Sequence, residues 1–157
     1  MEAAAIVLAA GAGTRMKSKK PKVAHEVLGK PLVRWVVDAA HAAGVTQVAT
    51  VVGHAREQVI PLVESDTQVV VQEVQNGTAG AVLACADAFA GFDGSLSVLT
   101  GDCPLIKPET IARLAQVRDE NNAAVVVLTM KLDDPTGYGR IIRDADGQVE
   151  RIVEQKD

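Results

Sequence analysis

At 157 residues, 48% of them hydrophobic and 23% charged, the chain has the length and balance of one globular domain with a real core, which excludes an intrinsically disordered protein. Its formal net charge of -4 argues against a general nucleic-acid-binding surface, and no stretch is long enough to span a bilayer. Cys85 and Cys103 lack CxxC or Cys/His spacing, so neither a zinc site nor a disulfide framework is expected, and both read as reduced thiols in a cytosolic protein.

Residues 4–8 are a fully apolar run that reads as a buried strand, so Gly11 and Gly13 fall where the chain leaves the end of a sheet. Glycine there permits unusual φ values and lets the backbone approach a ligand. Arg15, Lys17, Lys19, Lys20 and Lys22 add positive charge, and together these features describe a polyphosphate cradle. The alternative is an ordinary βα turn followed by a solvated basic loop. Neither familiar phosphate loop fits in full. Met16 stands where GxGxxG needs its third glycine, and also where GxxxxGK followed by Ser or Thr needs its second. Residues 3–13 resemble a signal-peptide core only superficially, since Glu2 precedes them and the basic residues follow.

Residues 31–43 carry an apolar stripe at helical spacing, opened by Pro31 and closed by Gly44. A strand is expected at 47–52, a short helix at 55–63 despite Pro61, and a β-branched strand at 67–72. An alanine-rich helix at 79–90 follows, then a strand at 95–100, a helix at 108–121 and a long strand at 123–132. Residues 139–153 read as a hairpin around a DADG turn. Repeated strand, helix, strand units predict an α/β fold, with a mainly parallel sheet, helices on both faces, and ligands at the carboxyl ends of strands.

Four loops at predicted strand ends hold the unusual residues: 9–22, 72–78, 101–104 and 133–140. In the second, Gln72, Gln75 and Asn76 offer carboxamides able to answer the mixed donors and acceptors of a pyrimidine edge, beside Gly77 and Thr78. The same loop also reads as an Asn-Gly turn with Thr78 capping the next helix. Asp102, at the exit of an apolar strand, suits Mg²⁺, which takes one or two carboxylates and completes its shell with water and substrate phosphate. A plain cap before Pro104 is the other reading. In DDPTGYGR, Arg140 could face a phosphate or pair with Asp133 or Asp134. Glu154 could accept from sugar hydroxyls or be a solvated charge. His25, His41 and His54 lie in no catalytic motif.

LAAGAGTRM, PKV with His25, Gln72 with NGT, GDCPL, DDPTGYGRI and VEQKD together resemble one known family. It is the N-terminal uridylyltransferase region of the bifunctional N-acetylglucosamine-1-phosphate uridyltransferase/glucosamine-1-phosphate acetyltransferases. The resemblance runs through the whole chain; LAAGxGTRM is shared among many nucleotidyltransferases, whereas DDPTGYGRI is more particular to this enzyme.

The resemblance implies a three-layer αβα, Rossmann-like nucleotide-diphospho-sugar transferase fold and a Mg²⁺-dependent, cytoplasmic reaction in peptidoglycan precursor synthesis. UTP and N-acetylglucosamine 1-phosphate would give UDP-N-acetylglucosamine and pyrophosphate. By the same resemblance Leu8, Ala9, Ala10 and Gly11 contact nucleotide, Arg15 and Lys22 act on the phosphates, and Gln72, Gly77 and Thr78 meet the uracil region. Thr100 and Gly101 lie near ribose, Asp102 binds Mg²⁺, and Gly139 and Glu154 contact the sugar. Thr100 stands where the family often has tyrosine, which leaves that contact to its hydroxyl or backbone. The family's domain continues past Asp157 to an asparagine that is a second metal ligand, then to a β-helix that carries the acetyltransferase and the expected homotrimer contacts. The 157 residues are therefore expected to be one nucleotidyltransferase domain, incomplete at its C-terminal end. An isoprenoid-pathway cytidylyltransferase shares the glycine loop and the PK pair, and a nucleotide-binding module without turnover is the alternative from another class.

Overall fold

The structure, a computed structural model, describes residues 2–13 and 16–154, which form one unit running to Ala124 and a second beginning at Val125. The first unit contains β1 (Ala3–Ala9), a short hairpin of β2 (Glu26–Val27) and β3 (Lys30–Pro31), α1 (Leu32–Ala42), β4 (Gln47–Val52), β5 (Gln68–Val71), α2 (Thr78–Leu83), β6 (Ser95–Thr100) and α3 (Pro108–Glu120). Four strands form one sheet in the order β5-β4-β1-β6, with every pairing parallel. Parallel strands need covered faces, and β1 accordingly is apolar on both. Ala5, Val7 and Ala9 pack with Val33, Val36 and Val37 of α1 and Ile111 of α3. Ile6 and its neighbours Ala49 and Val51 pack instead with Ala81 and Cys85, at and beyond α2. Alternation along the strands thus builds the expected three layers. Among the described residues no helix is long and apolar enough to cross a membrane.

Helix α1 begins directly after Pro31 and ends as its sequence predicts. The Gly44 N–H bonds the His41 carbonyl and the Val45 N–H reaches the Ala40 carbonyl, the paired bonds of a Schellman motif. The segment 55–63 differs from expectation. It forms two 3-10 turns, Arg56–Gln58 and Ile60–Leu62, because Pro61 lacks an N–H and its ring blocks an α-helical ladder. Its apolar spacing still does its work, since Val59 and Val63 are fully buried. The helix expected at 79–90 also stops early, at Leu83. Only Ala81 and Cys85 are buried along it, too little packing to hold an α ladder, and the chain tightens into i−3 bonds and a 3-10 turn at Asp87–Phe89.

The long strand expected at 123–132 does not form. β-branched residues describe a surface that fits a sheet, but a strand exists only with a hydrogen-bonded neighbour, and among the described residues this stretch has none. The second unit does contain the expected hairpin, with β7 (Arg140–Arg143) antiparallel to β8 (Val149–Val153) and a register shift at Ile142/Arg143. Its turn is held by the Asp144 carboxylate, which accepts from the Asp146 and Gln148 N–H groups.

An ion-pair network fastens the outer face of α1. Arg34 donates bidentately to Asp66, at 2.6 and 3.0 Å, and also to Asp38, while Lys30 pairs with Asp38 and lies 4.1 Å from the Trp35 ring centroid. The hydrogen bonds from the Arg34 guanidinium hold the Asp66 carboxyl below the usual carboxylate range. A depressed folded value means the stabilisation is fully present above the unfolded pKa, about 3.9, and fades as pH falls through the lower folded one. Asp66 is 36% exposed, so solvent screening limits the effect. We expect Arg34→Met to lower unfolding stability at pH 7 by about 1 kcal/mol, with the difference from the parent shrinking below pH 4 in urea titrations. A difference independent of pH would assign the loss to packing of the Arg34 stem alone.

Candidate functional site

Parallel pairing brings the carboxyl ends of β1, β5 and β6 to one edge of the sheet, and a cavity of about 590 Å³ lies there. Leu8, Ala10 and Gly11 from the end of β1 form part of its wall, with Gln72, Gly77 and Thr78 after β5, and Thr100 and Asp102 at the end of β6. Lys22 closes the arc. Nine of the residues expected from sequence therefore meet in one place. Ala9 and Gly101 are not on this wall. The Ala9 side chain is in the core against α1, so only its backbone is left for a ligand. Arg15 lies outside the described residues.

Lys22 and Asp102, eighty residues apart, form an ion pair at 2.6 Å. Both backbones are tightly seated. Lys22 opens a 3-10 turn, Lys22–Ala24, anchored by buried Pro21 and Val23. Gly13, at φ +58, sits so close that a Cβ there would lie 2.7 Å from the Lys22 Cβ. Asp102 lies in a turn closed by the Cys103 N–H on the Thr100 carbonyl at 3.1 Å. The turn is closed by backbone, and among the described residues the Asp102 carboxylate accepts from the Lys22 ammonium and not from a backbone N–H, so the plain-cap reading is not realised. A Cβ on Gly101 would stand 2.8 Å from the Leu8 carbonyl oxygen, which is why this position suits glycine. Gly11 shows no such constraint.

The cradle of five cations is narrower than its sequence suggests. Among the described cations of the loop, Lys22 alone lies on the cavity wall. Lys20 pairs with Glu26 at 3.4 Å, and its carbonyl meets the His25 ring at 3.2 Å.

Gln72 is buried, and its Nε2 donates to the Asn76 side-chain oxygen at 3.0 Å and the Gly77 carbonyl at 3.2 Å. A backbone carbonyl can only accept, so it fixes the amide orientation, and Gln72 turns its own side-chain oxygen elsewhere. Its carboxamide therefore offers an acceptor and not the two-way pattern expected from sequence. Thr78 is the first helical residue of α2 and not its cap; Gly77 holds the cap position, with no side-chain bond.

Of the other wall residues, Gly13 and Gln75 belong to the glycine and amide loops already marked by sequence, while Met16, Val23 and Ala81 were not singled out as contacts. Gln75 donates to the Ala10 carbonyl at 3.2 Å, alongside the His54 N–H at 3.2 Å, and so holds the end of β1 from across the fold. A glutamine in an amide-rich loop was its only signal.

In the second unit, a Cβ on Gly139 would lie 3.5 Å from the Glu154 carboxylate, so these two predicted residues are neighbours. Asp134 accepts from the Thr136 hydroxyl and N–H, which hold its carboxyl below the usual range and fold the DPTGY turn. Arg140 donates to the Tyr138 carbonyl.

As a donor set, the cavity fits Mg²⁺. Among the described residues there is no cluster of three or more His, Cys, Asp or Glu. One half-buried carboxylate beside a wide cavity suits a hard cation that keeps water and substrate phosphate in most of its positions.

Residues 5–149 match the MobA-like NTP transferase domain family. The chain is 49% identical over 157 residues to the bifunctional protein GlmU of Pelotomaculum thermopropionicum, covering 100% of this chain and 34% of that protein. It is 48% identical over 156 residues to bifunctional protein GlmU of Caldanaerobacter subterraneus subsp. tengcongensis, covering 99% of this chain and 34% of the relative. The chain thus spans about a third of the length of these relatives. Among solved structures, UDP-glucose pyrophosphorylase complexed with UDP-glucose aligns with TM-score 0.72 at 20% identity, over 99% of this chain and 69% of that one, a likeness of fold. A nucleotidyl transferase from Methanothermobacter thermautotroptrophicus aligns with TM-score 0.65 at 28% identity, over 73% and 57% respectively.

Proposed function

We infer that this chain, which belongs to the MobA-like NTP transferase domain family, carries a uridylyltransferase site that joins UTP to N-acetylglucosamine 1-phosphate and releases pyrophosphate. The observation that carries the reading is the meeting of Lys22, Asp102 and the Gln72–Thr78 loop on one cavity wall, in a chain 49% identical to a bifunctional GlmU. A sugar-phosphate oxygen, already anionic, forms a bond to the α-phosphorus as the bond from that phosphorus to the β-phosphate oxygen breaks, and pyrophosphate departs with the electron pair. No general base is needed, so charge neutralisation and alignment dominate. Mg²⁺, held by Asp102, would supply electrostatic stabilisation of the phosphates.

Lys22 places its ammonium against the phosphates, with Arg15 as a second cation, while Leu8, Ala9, Ala10 and Gly11 present backbone to the nucleotide. The Gln72 side-chain oxygen accepts from the N3–H of uracil, where neutral cytosine carries an acceptor, and Gly77 and Thr78 complete that end. Thr100 and Gly101 flank the ribose. Gly139 and Glu154 serve the sugar. The same reading makes the chain the nucleotidyltransferase part of a longer cytoplasmic protein that trimerises through an acetyltransferase β-helix.

The test is pyrophosphate release with N-acetylglucosamine 1-phosphate and Mg²⁺, offering UTP, CTP, ATP and GTP in turn, with calorimetric titration of each nucleotide. UTP is expected to bind tightest and to be the nucleotide turned over. Tighter binding of a purine nucleotide, or equal turnover with CTP, would sink the base assignment; binding of UTP without any pyrophosphate release, both by this chain and by a chain extended through the rest of the nucleotidyltransferase domain, would leave a nucleotide-binding module.

A further inference from the structure

The ion pair between Lys22 and Asp102 has a consequence for how the cavity is loaded. In the resting site each charge is satisfied by the other, at 2.6 Å, although the proposed function gives them different ligands. We propose that Lys22 is the resting counter-ion of Asp102, a placeholder that must swing away before either residue takes its ligand, so that the site accepts a divalent cation and a polyphosphate together in preference to either alone. This rests on the assignment of Asp102 to the metal and Lys22 to phosphate.

The seating of the two residues confines the exchange to side chains. Gly13 against the Lys22 Cβ, buried Pro21 and Val23 on either side of Lys22, and Gly101 against the Leu8 carbonyl all hold the backbones in place. The ammonium sits on a flexible four-carbon stem and can move without them. Side-chain exposures of 44% for Lys22 and 31% for Asp102 put water within reach of both groups, and a pair so placed is weak enough to exchange. A bare polyphosphate arriving alone must draw Lys22 off and leave Asp102 as an uncompensated anion facing it. A bare cation arriving alone must displace Lys22 and leave two positive charges side by side. Arrival of both replaces one ion pair with two, and neither Lys22 nor Asp102 is left without an opposite charge beside it.

A double-mutant cycle tests this with two simple probes, inorganic tripolyphosphate in EDTA by calorimetry and Mn²⁺ alone by electron paramagnetic resonance. Asp102→Ala is expected to tighten metal-free tripolyphosphate binding about two- to fivefold, and to do so by a clearly smaller factor in a Lys22→Met background, where only the repulsion by the carboxylate is relieved and no ammonium remains to be released. Lys22→Met is expected to tighten binding of Mn²⁺ alone by a similar factor. Equal tightening by Asp102→Ala in both backgrounds would mean a general field effect and would overturn the proposal. So would Mn²⁺ binding unchanged or weakened by Lys22→Met, or no binding of either probe to any variant. Neither probe carries a base or a sugar, so failure of the uridylyltransferase reading shows only in the nucleotide and pyrophosphate assays.

Discussion

Asp102→Asn is expected to leave the chain folded, remove the Mg²⁺-dependent part of UTP binding, and lower pyrophosphate release by roughly two to three orders of magnitude. The substitution keeps size and shape but removes the charge, and a neutral amide is a poor ligand for a hard cation. Folding should survive because the side chain is 31% exposed and its partner Lys22 is 44% exposed. Exposed pairs of this kind contribute only about 0–1 kcal/mol, and the turn around Asp102 is closed by backbone. Thermal denaturation, UTP titration with and without Mg²⁺, and steady-state pyrophosphate release separate these effects. If Mg²⁺ tightens UTP binding in the variant as it does in the parent, the metal belongs elsewhere. A large drop in melting temperature would instead make Asp102 a structural residue.

The expected loss is large because the described site offers little redundancy. The sequence suggests a cradle of five cations, yet among those described only Lys22 reaches the wall, and Lys20 is engaged with Glu26. Linear charge density records how many cations a loop has and not which way they point. The same limit applies to acids: GDCPL marks Asp102 as a strand-end carboxylate, but its pairing with a lysine eighty residues earlier is a product of the parallel sheet.

Where a signal is local, the sequence carries it well. The apolar stripe and Gly44 delimit α1, the fully apolar run marks β1 as a buried strand, and the parallel pairing with helices on both faces follows from the repeated units. Illegible features depend on partners distant in the chain. Residues 123–132 have the composition of a strand and no neighbour to pair with among the described residues. Gln75 holds the Ala10 carbonyl across 65 positions, and Gln72 loses its two-way hydrogen-bonding character because the Gly77 carbonyl fixes its amide. Pro61 is the intermediate case, a local breaker that turns a segment expected as one short helix into two 3-10 turns while Val59 and Val63 stay buried.

Gly101→Ala and Gly11→Ala should separate glycine needed by the fold from glycine needed by the ligand. At Gly101 a Cβ would stand 2.8 Å from the Leu8 carbonyl oxygen and 3.4 Å from Val23 Cγ1, and the Gly101 N–H donates to that same carbonyl at 2.9 Å. The obstacle is backbone of the central strand, so β6 must move, carrying Thr100 and Asp102 with it. We expect a stability loss of about 1–3 kcal/mol from the overpacking. Turnover should fall by roughly a hundredfold, since a shift of about 1 Å in a phosphoryl-transfer site has that effect. At Gly11, which is exposed and on the cavity wall, a Cβ meets nothing within 4 Å. Gly11→Ala should therefore denature like the parent in urea, yet bind UTP about tenfold more weakly if the nucleotide lies against this backbone, because the methyl then occupies space the ligand needs. Parent-like stability with parent-like UTP affinity in Gly11→Ala would remove the glycine loop from the binding site. Parent-like stability in Gly101→Ala would show that the end of β6 yields without strain, and the close approach to Leu8 would then not be what selects glycine there.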